Sequence, residues 1–586
     1  MAALVNSLDN YTPKQYGENG HAEYGWSKNI QEQICQFSFQ ITRINAAFQI
    51  INLEKRLTEL ITILKYKVEQ GSLPERELAK GHLSILFKMI GHTRDIIDGK
   101  GEYKLAYMMI YTWFKFYPKL AAFALKCFVL LPDVDNKKTH QYGSWKDLKY
   151  FCEYCDEHNE TVKETINHPL VQFSIQLINE QLRLDHQRML AGTSDVSLVA
   201  KWTPRENSRF GWLYSALATN YFADFLITAK TIEKQQKAIL KCKTEYRKLL
   251  ASLNRHIDTL QIKQCEQIWQ SIDFNKVTSI SLLKQKKAFL NIKHNGKPRY
   301  PDNFDRIKCA ENFNAHIQKS VTGEVEMKGK RIGMEDFTKQ AINLIKHGTP
   351  AEKLLLNSQW RDNSTQTGAL GKMIAMVDVS GSMEGDPMNV AIALGIRIAE
   401  KSILGKRVMT FSAKPTWVNL EPYTDFISQV STIKGAEWGM NTNFHAALDM
   451  ILDAIVQNKL PPEDVQDMVL VILSDMQMDH GDNCNKDVLY ESMKKKYEDA
   501  GIRVHGAPYR PPHILFWNLR STSGFPSLSN QPNTSMMAGF SPALLNLFCD
   551  QGLDALQSFT PWSILVKSLE NERYKIMDNE IQSFLN

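Results

Sequence analysis

The stretch MIAMVDVSGSM, residues 373–383, decides how this chain is read. An apolar run from Met373 reaches Asp378, and Ser380 and Ser382 follow at every second position. A run apolar on both faces suits a strand buried inside a parallel sheet. Three later stretches share the pattern: RVMTFS at 407–412, DMVLVILSD at 467–475 and HILFWNLR at 513–520. Segments of helical character separate them. In GDPMNVAIALGIRIAEKS, Asp386 can cap a helix and Pro387 suits its first position. In NFHAALDMILDAIV, Phe444, Leu448, Ile451 and Ile455 share one face. KDVLYESMKKKYEDAG is closed by Gly501. Alternating strands and helices predict a doubly wound α/β domain over 372–586, with its ligand site beyond the carboxyl ends of the strands.

The first 350 residues follow a different grammar. Apolar residues recur at three- and four-residue steps through 31–70, 76–96 and 104–131, and long period-two alternation is absent. Breakers such as DGKGE and KWTPRENS punctuate them. A helical, repeat-like array is expected over 1–356, since each helix pair buries a face on its neighbour. The polar stretch 357–371 reads as a connector.

Charge supports the division. Residues 1–350 hold 50 Lys+Arg against 37 Asp+Glu, whereas 351–586 hold 20 against 27. The basic excess concentrates in 201–300, with 19 basic and 7 acidic residues. The first residues carry no basic segment followed by an apolar one, so no secretory signal is expected. The apolar segment 120–131 is short and contains Lys126, which suits a buried helix rather than a membrane span. Nine scattered cysteines fit reduced thiols in a cytoplasmic setting. Cys152 and Cys155, with His158 nearby, lack a second pair at zinc spacing and read as ordinary thiols on a helix.

Polar groups fall where the α/β rule puts a ligand site. Asp378, Ser380 and Ser382 follow the first strand, Thr442 opens a helix, and Asp475 ends a later strand. Two carboxylates and three hydroxyls, without histidine or cysteine, suit a hard cation such as Mg²⁺, Mn²⁺ or Ca²⁺. The neighbouring QTGALGKM lacks the first glycine and the final hydroxyl of a phosphate loop, and no GxSxG elbow is present.

DVSGSM, the later Thr442 and the Asp475 after a strand resemble the metal-ion-dependent adhesion site of von Willebrand factor A domains. That resemblance implies that Ser380, Ser382 and Thr442 touch Mg²⁺ or Mn²⁺, while Asp378 and Asp475 ligate it or hold its waters. The cation then completes its shell with an acidic group of a protein partner. Over most of its length the chain also resembles an uncharacterised family of plants, fungi and giant viruses. The resemblance rests on GENGHAEYG (17–25), RDIIDGKGE (94–102), GSWKDL (143–148), KWTPRE (201–206), YRKLLASLNRHI (246–257), SQWRD (358–362), ILFWNL (514–519) and AGFSPALLNLF (538–548). GENG stands where that family usually has TENG. Helices followed by an A domain are also similar to the Ro autoantigen and other TROVE-domain proteins, which bind RNA with a HEAT-like helical ring.

These readings imply a non-enzymatic binding scaffold. RNA or a ribonucleoprotein would engage the basic helices through Lys201, Arg205, Arg209, Lys241, Lys243, Arg247, Lys248 and Arg255, with Trp202 stacking on a base. A scaffold that binds protein alone through the metal site is the alternative. A hydrolase is more remote: Glu384, Asp386, Asp479 and Asp482, with His480 as base, come with no positioned nucleophile or second ligand set. A cytoplasmic location is expected, or a virion or viral factory for a giant-virus protein, with no membrane partner.

Overall fold

Strand β3 (Met373–Asp378) shows why the sequence signal is strong. Met373, Ala375 and Val377 enter one apolar core, and Ile374 and Met376 enter another on the opposite face. The same alternation divides Val469, Val471 and Leu473 from Leu470 and Ile472 in β6 (Val469–Ser474). Both faces of these strands are dry, so every position before their last residues, Asp378 and Ser474, is apolar. The computed structural model describes residues 11–17, 20–44, 46–133, 139–411, 414–436, 444–465, 468–477, 489–549, 556 and 558–586.

A six-stranded mixed sheet forms the C-terminal part. With β4 (Arg407–Phe411), β5 (Thr416–Asn419), β7 (His513–Asn518) and β8 (Thr534–Ala538), its order is β5-β4-β3-β6-β7-β8. All neighbours run parallel except β5, which pairs antiparallel with β4. One face is covered by helices Asp386–Lys401 and Phe426–Lys434, the other by Phe444–Gln457 and Leu489–His505. The chain leaves β3 toward one side of the sheet and β6 toward the other, so a crevice opens between their carboxyl ends.

Two strands were not anticipated from sequence. β5 is a short edge strand with one buried residue, Val418, and β8 is TSMMA, poor in β-branched residues. Gly385, with φ of 103°, occupies the cap position of helix Asp386–Lys401, so Asp386 is its first residue rather than its cap. Helix Leu489–His505 runs through Gly501 instead of ending there. A Cβ at Gly501 would lie 2.1 Å from the Tyr509 amide nitrogen, so close backbone approach explains this glycine.

The N-terminal part is helical, with sequential pairs such as Ala47–Gln70 with Leu73–Arg94 and Gly211–Tyr221 with Ile232–His256 packed on each other. A large apolar core runs through them. Cys152 and Cys155 lie in it, and burial pushes the Cys152 thiol up to about 12. The helical reading fails at the start of the chain, where β1 (Lys14–Tyr16) and β2 (Ala22–Tyr24) form a hairpin. So short a hairpin is marginal alone. It is anchored to the sheet domain by paired hydrogen bonds between Tyr24 and Phe525.

Residues 357–364, whose polarity suggested a connector, are the end of helix Pro350–Ser364. Several of their polar side chains are buried and satisfy neighbouring backbone groups. Asp362 accepts from the Gly329 amide at 2.6 Å, and Gln359 donates to the Lys328 carbonyl at 3.0 Å. Trp360 stacks on Phe426 at 3.9 Å and donates to Glu400 at 2.9 Å, joining this helix to the sheet domain.

The chain ends cross between the two parts. Tyr24, Cys35 and Phe39 help cover the sheet. The C-terminal residues Leu565, Leu569, Tyr574, Met577 and Ile581 instead enter the helical core. Arg573 clamps Asp95 through two hydrogen bonds of 2.7 Å. Among the described residues, no helix is long and apolar enough to cross a membrane.

Candidate functional site

The crevice between β3 and β6 holds the polar groups anticipated there. Asp378 ends β3 and is fully buried. Its Oδ1 accepts from the Ser380 amide at 2.9 Å, and its Oδ2 accepts from the Ser474 hydroxyl at 2.6 Å. Ser380 is buried and Ser382 half-buried, with their hydroxyl oxygens 3.1 Å apart. Asp475 follows β6 and is fully buried. Its Oδ1 accepts from the Gln477 amide at 3.2 Å. Its Oδ2 has no hydrogen-bond partner among the described residues. Thr442 lies outside the described residues, as do Asp479, His480 and Asp482.

The local backbone holds this arrangement under strain. Met476 adopts φ of 63°, which is unfavourable for a residue with a side chain. Its amide donates to Ser474 Oγ at 3.0 Å. Ser474 therefore ties the turn after β6 to the carboxylate at the end of β3. Sequence reasoning overlooked Ser474, although it directly precedes Asp475. It also overlooked Arg520, which follows β7, donates to the Ser382 carbonyl and brings Nη1 within 3.9 Å of Asp475 Oδ2.

Two buried carboxylates next to each other are electrostatically unfavourable. Burial foremost, and then the charge of Asp475, push Asp378 up to about 7, against the hydrogen bonds from Ser380 and Ser474. Burial likewise raises Asp475, opposed by the Gln477 amide, Ser382 and Arg520. A cation would relieve both. The oxygen donors suit a hard divalent ion, and Asp475 Oδ2, which accepts no hydrogen bond among the described residues, offers it a lone pair. Asp386 is engaged by Lys339.

The basic residues lie elsewhere. Helix Ile232–His256 buries Cys242, Tyr246, Leu249 and Leu253 and turns Lys241, Arg247, Lys248 and Arg255 outward. Lys241, Lys248 and Arg255, seven residues apart, form one stripe. Several of the cations have acidic neighbours: Arg209 with Glu153 at 3.1 Å, and Arg247 and Lys243 with Glu206 at 3.4 and 3.8 Å. Lys248 pairs with Glu245 at 2.9 Å, and Arg255 reaches Glu266 at 3.9 Å. Arg205 is exposed. Half-buried Trp202 is approached by Lys146, Lys149 and Lys201, with ammonium groups 6.0, 5.8 and 5.7 Å from its ring.

The sequence matches two families. Residues 372–580 match the one described as Domain of unknown function (DUF7788), and residues 156–361 the one described as Domain of unknown function (DUF2828). The chain also has a giant-virus relative. It is 29% identical over 502 residues to "Uncharacterized protein L728" of Acanthamoeba polyphaga mimivirus, spanning 83% of this chain and 79% of that protein.

Proposed function

We propose that the C-terminal part is a von Willebrand factor A-type domain, and that the protein is a binding scaffold gripping a partner's acidic group through Mg²⁺ or Mn²⁺. The observation that carries this reading is the buried Oδ2 of Asp475, which among the described residues accepts no hydrogen bond and has only the distant Arg520 guanidinium at 3.9 Å, beside Asp378 at the point where the connections of the sheet diverge. Strand order and the antiparallel edge strand β5 support it. Ser380, Ser382, Asp475, Asp378 and Thr442 would hold the cation. Neutral hydroxyls leave its positive charge largely uncompensated, so an incoming carboxylate completes the shell. The test is capture of partners by the tagged full chain from its natural source, in Mg²⁺ and in chelator. A specific protein should be retained in Mg²⁺, released by chelator and absent with Ser380→Ala. Retention unchanged in chelator would sink the proposal.

A second activity, RNA binding by the helical part, is favoured by the three lysines around Trp202 and by the stripe Lys241, Lys248 and Arg255. The acidic partners of this region are largely surface groups, and exposed ion pairs are weak enough for phosphates to replace. Binding of a structured RNA should fall steeply between 50 and 200 mM salt, by about tenfold or more. Affinity flat over that range would leave the metal-dependent scaffold without RNA.

A further inference from the structure

Three stretches singled out in the sequence have no part in the strand-end site, yet they meet in space. RDIIDGKGE, GSWKDL and AGFSPALLNLF, with the turn before helix Met334–His347, line one cavity of about 560 Å³ between the helical part and the sheet domain. That volume is in the range of small-molecule sites.

The lining is strongly basic, with eight Lys or Arg residues against three acids. Pairing makes the imbalance sharper. Arg43 engages both Glu102 and Glu335 and stacks its guanidinium 4.7 Å from the Phe540 ring. Arg94 is satisfied by Asp147 behind the wall, at 2.7 and 2.8 Å. Lys330 is held by Glu326 at 2.9 Å and Asp362 at 3.5 Å. Apart from Lys100, which donates to backbone carbonyls, this leaves Lys104, Lys146, Lys284 and Arg331, and among the described residues none of these four forms an ion pair. Arg331 donates only to the Ile96 carbonyl at 2.8 Å and Gln366 at 3.2 Å. Asp336 is the one lining acid that Arg43 does not engage.

Two further features favour negative charge. Helices Tyr103–Phe114 and Met334–His347 both begin at the cavity, and neither start carries a side-chain cap bond. Their first amide groups present partial positive charge, which Glu335 and Asp336 in the first turn of Met334–His347 partly offset. Lys100, also in the lining, is buried and donates to the carbonyls of Ser38 and Ile41 at 3.0 and 2.9 Å. Burial foremost holds the Lys146 ammonium below its ordinary range, with Arg94 and Lys284 adding to this and Asp147 opposing it. An anion among these cations would lower that cost.

We propose that this cavity binds a small polyphosphate-bearing molecule of about nucleotide size. Lys104, Lys146, Lys284 and Arg331 would contact its phosphates, and apolar residues such as Ile280 and Phe540 would flank the remainder. A volume of about 560 Å³ favours a compact ligand over a continuous strand. Ligands of this kind would touch the helical part and the sheet domain together. This site is independent of the strand-end carboxylates and of the stripe on helix Ile232–His256, and it shares Lys146 with the cluster around Trp202.

Calorimetric titration of the full chain tests it, using tripolyphosphate and ATP with chelator present so that divalent cations play no part. Saturable binding of both at one shared site is expected. The double variant Lys104→Glu/Lys284→Glu, which alters exposed side chains, should weaken it at least tenfold. Lys241→Glu/Lys248→Glu, on the distant stripe, should leave it unchanged. Failure of both probes to bind would overturn the proposal. So would equal losses in the two double variants, or binding confined to a single-stranded oligonucleotide.

Discussion

At the scale of single residues, buried charges and histidines set the measurable effects. Asp147 is fully buried and accepts from Arg94, from the Tyr107 hydroxyl at 2.6 Å and from the Ser144 amide at 2.8 Å. Asp147→Ala leaves Arg94 buried without its counter-charge and should cost about 3–5 kcal/mol in urea unfolding. A loss under 1 kcal/mol would contradict that account. His92 is buried beside Tyr574, with Nδ1 3.3 Å from the hydroxyl. Burial first, and then Lys100, lower it from 6.5 to about 3. Below pH 6.5 the unfolded chain therefore binds a proton that the folded chain does not. Stability from this residue is intact above pH 6.5 and declines as pH falls toward 3, by up to about 1.4 kcal/mol per unit. The stability gap between wild type and His92→Gln should narrow from pH 7.5 to 5.5; a constant gap would show that His92 does not titrate as described.

At the scale of elements, what was legible from sequence depended on burial symmetry. β3, β4, β6 and β7 were readable because residues pointing either way meet apolar cover. β5 was not, since its edge position leaves Trp417 and Asn419 exposed. β8 was hidden by serine and threonine, although Ser535 is buried within hydrogen-bonding distance of His513, at 2.9 Å. Helix Pro350–Ser364 shows the converse error, because buried polar side chains serving backbone groups look like a solvated connector in sequence. Its Trp360 also lies under Arg397, whose guanidinium is 4.2 Å from the ring. Trp360→Ala should therefore cost about 3–5 kcal/mol and Trp360→Phe distinctly less. Equal, small losses in thermal unfolding would show that this helix is not joined to the sheet domain through Trp360. At the strand ends, Asp378, Ser380, Ser382 and Asp475 were legible from their order along the chain. Ser474 and Arg520 were not, because their roles depend on which strands are neighbours.

At the scale of the whole molecule, the division into helical and sheet parts is real in architecture but not in the path of the chain. The N-terminal hairpin and first helix help cover the sheet, and the last helices complete the helical core. Residues 372–586 expressed alone would lack Tyr24, Cys35 and Phe39 and would expose Leu565, Met577 and Ile581. That fragment should aggregate or elute as large species on size exclusion. A soluble, cooperatively folding monomer would show that the crossed ends are dispensable.

The central claim is that the β3–β6 crevice holds a divalent cation. Calorimetric titration of Mn²⁺ into the full chain tests it most directly. The account predicts a saturable site that is lost in Asp475→Ala and in Ser380→Ala, with circular dichroism unchanged. Absence of Mn²⁺ and Mg²⁺ binding, or undiminished binding in both variants, would contradict it.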